Sequence, residues 1–261
     1  MDLSVLKNKK LFILDMDGTF YLDDRLLDGS LNFIRKLEES GKEFLFFTNN
    51  ASKSPDYYIN KLARMGCGIG RRNIATSGDV TIKFLEENYP GQKIFLVGTP
   101  LLEESFRDAG IKLVQEAPDV VVVSFDLTLT YEKVSKACKY IREGAAFIAT
   151  HMDFNCPTED GFIPDCGSIC AMITASTGVR PRYLGKPFKE TVDMITGITG
   201  YDRDEMVIIG DRLYTDIATG FNNGVASILV LSGETKEEDL KRSEVKPDFV
   251  FTSLAKVAEV L

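Results

Sequence analysis

The chain has 261 residues, 44% of them apolar and 27% charged, and a net charge of −8. That balance is ordinary for a soluble globular protein with ample core, and the acidic excess, with basic residues scattered rather than segregated into a patch, argues against a nucleic-acid-binding surface. No stretch approaches the ~20 apolar residues of a membrane helix. The N-terminus lacks a signal-peptide run, and five irregularly spaced cysteines argue against a disulfide framework; the expected setting is cytoplasmic, away from membranes.

Leu11-Phe12-Ile13-Leu14 is apolar throughout and too short for a helix, so it reads as a buried strand. It runs into Asp15-Met16-Asp17-Gly18-Thr19, with two carboxylates at i, i+2. Burying an unpaired carboxylate costs several kcal/mol, so two at a strand end call for a compensating cation. Carboxyl ends of strands are also where open α/β sheets bind ligands. A plain Asp-x-Asp-Gly turn remains the alternative at this point.

Residues 17 to 27 read as a loop or short hairpin. Asp28 can N-cap a helix through Ser40, with Gly41 closing it. Glu43 to Phe47 is a second buried strand, ending in Thr48-Asn49-Asn50, and Ser54-Pro55 opens a helix that stops at Gly66. Gly66-Cys67-Gly68-Ile69-Gly70 comes after a helix rather than a strand, so it reads as a turn and not a dinucleotide loop. The alternation of strand and helix continues, predicting right-handed βαβ units and a parallel sheet. Helices are expected at 79–89, 101–109, 130–143 and 167–177, and strands at 93–97, 120–123 and 146–149. After Pro187 come a helix, a strand at 206–209, a helix at 214–222 and a strand at 226–230. Thr235-x-x-Glu238 reads as a capping box, and Phe249-Val250 with a closing helix ends the chain.

Three further segments carry polar groups suited to phosphoryl transfer. Thr48-Asn49-Asn50 offers a hydroxyl and backbone N–H donors. Gly185-Lys186-Pro187 sets a lysine before a helix, and Gly210-Asp211 to Asp216 adds two acids. Together with Asp15 and Asp17 these supply carboxylates for Mg²⁺, which wants oxygen ligands, and a cation to neutralise the transferred group.

The order Asp-x-Asp-Gly-Thr, Thr-Asn-Asn, Gly-Lys-Pro, Gly-Asp-x₄-Asp resembles the four motifs of the haloacid dehalogenase superfamily. The long insertion, with Asp126-Leu127-Thr128 and Phe147 to Asp153, resembles its NagD-like, p-nitrophenyl-phosphatase-like branch. The resemblance implies a Rossmann-like, doubly wound parallel α/β core (1–88 and 181–261) and an inserted α/β cap (89–180). It implies a Mg²⁺-dependent phosphatase of a small phosphorylated metabolite, with Asp15 as nucleophile and Asp17 as general acid/base. Phosphate would be held by Asp15, Met16, Asp17, Thr48, Asn49 and Lys186; the metal by Asp15, Asp17 and Asp211, with Asp216 and Thr19 behind them. Asp126, His151 and Asp153 are the cap candidates for substrate specificity. Here the branch's Thr-Asn-x-Asp reads Thr150-His151-Met152-Asp153, a departure that bears on substrate rather than chemistry. The cap is also a surface through which a homodimer could form. Rival readings are a metal-dependent phospho- or glycosyltransferase using only the Asp-x-Asp pair, and a non-catalytic phospholigand sensor. The first leaves Thr48, Lys186 and Asp211 unexplained; the second would be expected to have lost one of its two acids.

Overall fold

The structure is a computed structural model that describes residues 3–158 and 161–261. Its strands are β1 (Leu11–Leu14), β2 (Tyr21–Leu22), β3 (Arg25–Leu26), β4 (Glu43–Thr48), β5 (Ile74–Thr76), β6 (Ile94–Val97) and β7 (Val120–Val123). They continue with β8 (Ala146–Ala149), β9 (Asn155–Thr158), β10 (Gly161–Pro164), β11 (Arg182–Tyr183), β12 (Met206–Gly210), β13 (Ala226–Val230) and β14 (Phe249–Phe251). The chain forms two compact units, one from Met1–Thr48, Pro55–Ala75 and Lys186–Leu261, the other from Asn49–Ser54 and Thr76–Gly185.

The first unit is built on a six-stranded sheet in the order β14-β13-β12-β1-β4-β5. β1 pairs in parallel with β4 on one side and β12 on the other, and β12, β13 and β14 continue in parallel. Numbered along the chain this is the order 6-5-4-1-2-3 of a doubly wound Rossmann-like sheet, whose direction of winding reverses between β1 and β12. The strands are apolar because both faces are covered. On one face Phe12, Leu14, Phe46, Val207, Ile209 and Ile228 pack with Phe33 and Leu37 of the helix Ser30–Glu39 and with Leu254 and Val257 of the last helix. Each fully buried side chain of this size stabilises the fold by roughly 1.5–3 kcal/mol. β1, buried along its whole length, is therefore a stiff mount for the acids at its carboxyl end.

The second unit holds an all-parallel sheet in the order β11-β8-β7-β6 and an antiparallel β9–β10 hairpin. Its core is Phe95, Val121, Val123, Ala137, Ile141, Phe147, Ile169 and Ile173.

Several boundaries differ from the sequence reading. Helix Ser77–Asn88, expected with the core, belongs to the second unit, as do Asn49–Ser54. It starts at Thr76, whose hydroxyl accepts from the Asp79 N–H while the Asp79 carboxylate accepts from the Thr76 N–H, a reciprocal cap that the expected start at 79 overlooked. Asp28 does not cap the next helix: Gly29 does, at φ +81°, where a Cβ would lie 2.4 Å from the Ala255 backbone. The expected capping box at Thr235 falls one residue later, where the Asp239 carboxylate accepts from the Lys236 N–H. The helix expected at 214–222 opens as a wider π-type turn, Leu213–Ile217, before Ala218–Asn223.

Candidate active site

Asp15 continues the β1 ladder by donating its N–H to the Ile209 carbonyl at 2.9 Å. It therefore stands at the carboxyl end of the sheet where the winding reverses, the place at which such sheets bind ligands. The chain then turns sharply: the Met16 carbonyl accepts from the N–H groups of Phe20 and Tyr21 at 2.9 and 3.1 Å. Gly18 allows the turn, at φ +84°, and a Cβ there would lie 2.5 Å from Asp211 Oδ2. Only glycine meets both the backbone angle and the approach of the carboxylate.

The neighbouring strand β12 supplies the other acids. Asp211 comes directly after it, its Oδ2 accepting from the Glu234 N–H at 2.7 Å and its Oδ1 from the Thr19 hydroxyl at 3.3 Å. The π-type turn after it brings Asp216 back beneath the strand end, so close that a Cβ on Gly210 would lie 2.2 Å from Asp216 Cγ. Ligand-type oxygens of Asp15, Asp211 and Asp216 all lie within 4.8 Å of one another.

Lys186 ties this cluster together. The residue is 4% exposed, and its ammonium donates to Asp15 Oδ1 at 2.5 Å and to Asp216 Oδ1 at 2.6 Å. Burial alone would lower its pKa, but Asp15 and Asp216 hold it above the ordinary lysine value, so it is charged. Burial, with Asp216 next, holds the Asp15 carboxyl well above the usual range and pushes Asp211 up to about 6. Three clustered carboxylates, two of them paired with Lys186, face among the described residues only that ammonium and the Arg212 guanidinium, itself paired with Glu234, so the site is short of positive charge. The donor set is all carboxylate oxygen, which suits a hard divalent cation, so the residues present fit a metal.

Asp17 lies apart from the trio. Its carboxylate accepts from the Tyr21 hydroxyl at 3.5 Å, and burial raises its pKa although Lys61 and Arg212 oppose the shift. Thr48, buried at the end of β4, extends a register in which Leu14 faces Phe46, which sets it level with Met16.

The structure thus brings Asp15, Met16, Asp17, Thr19, Thr48, Lys186, Asp211 and Asp216 into the first unit. Asp216, expected behind the others, belongs to the same oxygen cluster as Asp15 and Asp211. Asn49, Asp126, His151 and Asp153 lie in the second unit. Asp126 has a local structural role there: Oδ1 accepts from the Thr128 N–H and hydroxyl at 2.8 and 2.6 Å, and Oδ2 pairs with Lys133 at 2.6 Å. This is the pattern of an Asx turn, which from sequence alone looks the same as a ligand carboxylate.

Sequence reasoning missed the loop after β13. Ser232 donates to the Gly18 carbonyl at 2.9 Å, Gly233 leaves no room for a side chain against Asp211, and Glu234 pairs with Arg212 at 3.0 Å. The signal was present: Ser-Gly-Glu-Thr after an apolar strand is the same strand-to-glycine pattern as at Gly18 and Gly210.

Comparison with known proteins agrees with this geometry. Residues 12–112 match a haloacid dehalogenase-like hydrolase family, and residues 183–257 a HAD-hydrolase-like family. An acid sugar phosphatase of Staphylococcus saprophyticus is 35% identical over 98% of this chain and 99% of its own. A solved 4-nitrophenylphosphatase of Thermotoga maritima superposes with a TM-score of 0.95 at 50% identity, covering 98% of both chains. NagD of E. coli K-12 superposes at 0.90 with 30% identity, over 97% of this chain and 99% of that one. With paired acids at the winding reversal, a buried lysine between them, and this likeness along nearly its whole length, the chain belongs to the haloacid dehalogenase-like hydrolases, in their NagD-like branch.

Proposed function

We propose that the protein is a Mg²⁺-dependent phosphatase that hydrolyses a small phosphorylated metabolite through an aspartyl-phosphate on Asp15. The observation that carries this reading is the clustering of Asp15, Asp211 and Asp216, with the buried Lys186 ammonium paired to Asp15 and Asp216 and with Asp17 two residues from Asp15. A transferase that used only Asp15 and Asp17 would leave the Lys186 ion pairs without a role. The acid sugar phosphatase and 4-nitrophenylphosphatase relatives support a phosphomonoester substrate and put sugar phosphates first among the candidates.

In this mechanism an oxygen of Asp15 attacks phosphorus as the ester P–O bond breaks. Asp17, kept protonated more readily by its burial, gives its proton to the leaving oxygen. The resulting Asp17 carboxylate takes a proton from a water that attacks the phosphorus of the aspartyl-phosphate; the bond to Asp15 breaks, and orthophosphate leaves. A covalent intermediate divides one difficult displacement into two easier ones. Lys186 offsets the negative charge that grows on the transferred group. The Thr48 hydroxyl and the N–H groups of Met16 and Asp17 would hold phosphoryl oxygens; among the described residues no backbone carbonyl accepts from either N–H. Asp15, Asp211 and the Asp17 carbonyl would hold Mg²⁺, with Asp216 near enough to share it. Bound there, the ion supplies Lewis-acid polarisation and charge neutralisation.

A phosphate-release screen over sugar phosphates, nucleoside monophosphates, phosphoglycolate and polyol phosphates tests the reading. Release should fall by about 100-fold or more on chelation and return with Mg²⁺; turnover that ignores the chelator would overturn the metal requirement. Asp17→Asn should lower kcat by roughly 10²–10⁴ while inhibition by orthophosphate barely changes. Equal losses in rate and in phosphate affinity would count against Asp17 as the proton carrier.

A further inference from the structure

A second buried polar cluster lies within the second unit and has no part in the chemistry above. His151 is wholly buried. Its Nε2 is 2.9 Å from Asp165 Oδ1, and its Nδ1 is 2.9 Å from the Thr150 hydroxyl and 3.4 Å from that of Ser77. The Thr150 hydroxyl donates onward to Ser124 at 3.1 Å, so it is free to accept from His151. Burial would lower the imidazole pKa, but Asp165 leads the groups that carry it up to about 10, and His151 is an imidazolium.

Beside it stands Asp153, 6% exposed. Its Oδ2 accepts from the Asn49 side-chain amide at 3.1 Å, while its Oδ1 has no hydrogen-bond partner among the described residues. A buried carboxylate oxygen without a donor is costly, and a neighbouring positive charge offsets it. His151 is that charge. Ligand-type atoms of His151, Asp153 and Asp165 lie within 4.8 Å, yet the Nε2 proton is committed to Asp165, so the cluster is a closed ion pair rather than an open cation site.

What the cluster grips is informative. The chain passes between the two units at 48/49 and at 185/186, immediately beside Thr48 and Lys186. Asn49 is held through its side chain by Asp153 and through its carbonyl by the Ser77 hydroxyl at 2.5 Å. Gly185, at φ +67°, has no room for a side chain: a Cβ would lie 2.7 Å from the Thr150 carbonyl, 2.8 Å from Asn49 Oδ1 and 3.2 Å from His151 Cβ. Asn49, Gly185 and His151 are therefore packed as one body.

We propose that His151 and Asp153 are positioning residues for phosphoryl transfer, fixing through Asn49 and Gly185 where the chain delivers Thr48 and Lys186. This departs from the expectation that they contact substrate: both are buried, and both His151 nitrogens are committed. The kinetic side rests on the phosphatase reading; the structural side rests on geometry alone.

The test compares His151→Leu, His151→Gln and Asp153→Ala with wild type in two measurements. The first is kcat/KM on several phosphomonoesters with unlike leaving groups. The second is amide hydrogen exchange of peptides covering 48–52 and 184–187, with 11–14 as the control. His151→Leu and Asp153→Ala should lower kcat/KM by one common factor, on the order of 10–100, on every ester, as expected when reacting groups shift by about an ångström. Both should speed exchange in the two junction peptides and not in the control. His151→Gln, which keeps a donor toward Asp165 but not the positive charge beside Asp153, should recover only part of each effect. Losses confined to some esters would instead make these residues substrate contacts, and normal rates with normal junction exchange would make them merely structural; either overturns the proposal. Should His151→Leu fail to fold, Asp153→Ala carries the same comparison. A wild-type protein that hydrolysed no ester would refute the phosphatase reading, and the exchange measurement would still decide the positioning claim.

Discussion

An Asp15→Asn variant is expected to keep its fold and lose phosphatase turnover by about three orders of magnitude or more, because it removes the carboxylate that the proposed mechanism uses as covalent nucleophile. Asparagine has nearly the volume of aspartate and retains an oxygen to accept from Lys186, which now bonds Asp15 at 2.5 Å. It also removes one of three crowded carboxylates, two of which burial and Asp216 already hold above their usual pKa range. Thermal unfolding should therefore change little. Mass spectrometry of wild type quenched in acid during turnover should find the phosphoryl group on the peptide carrying Asp15. Undiminished turnover by the variant would sink the mechanism.

Lys186→Met is expected to damage both stability and rate. The ammonium is bonded to Asp15 and to Asp216, and removing one partner of a buried pair leaves uncompensated charge, which costs about 3–5 kcal/mol. Loss of its field at the transferred group should lower kcat by a further 10²–10³, roughly the effect of removing one preorganised donor. Denaturant unfolding and steady-state kinetics separate the two. Adding Asp216→Asn to Lys186→Met should restore part of the stability and none of the rate. If the double variant instead recovered turnover, the lysine would be a structural counter-ion and not a participant.

Much of the site was legible because the chemistry sits where strand ends meet glycine. Apolar runs such as Leu11–Leu14 and Met206–Ile209 announce buried parallel strands, and the acids after them stand out against that background. The unread strands lack any such contrast: β9 is Asn155-Cys156-Pro157-Thr158, and β5 and β11 span three and two residues. The closeness of Asp216 to Asp15 and Asp211 was not legible, because its place depends on the π-type turn at Leu213–Ile217. A five-residue spacing read as regular helix does not return that carboxylate to the strand end. In the cap unit, Asp126 and Asp153 look alike in sequence, yet one closes an Asx turn and the other holds Asn49. Only tertiary partners separate those roles.

The two chain crossings next to Thr48 and Lys186 also constrain how such a protein can diversify. The second unit is not one continuous insertion: Asn49–Ser54 pack with Thr76–Gly185. A recombination event that exchanged only residues 76–185 for those of a relative would leave a fragment of the old unit behind. That fragment holds Asn49, and with it the hydrogen bonds to Asp153 and Ser77. Exchange of this unit as a module therefore requires inherited agreement between two separated stretches of the gene.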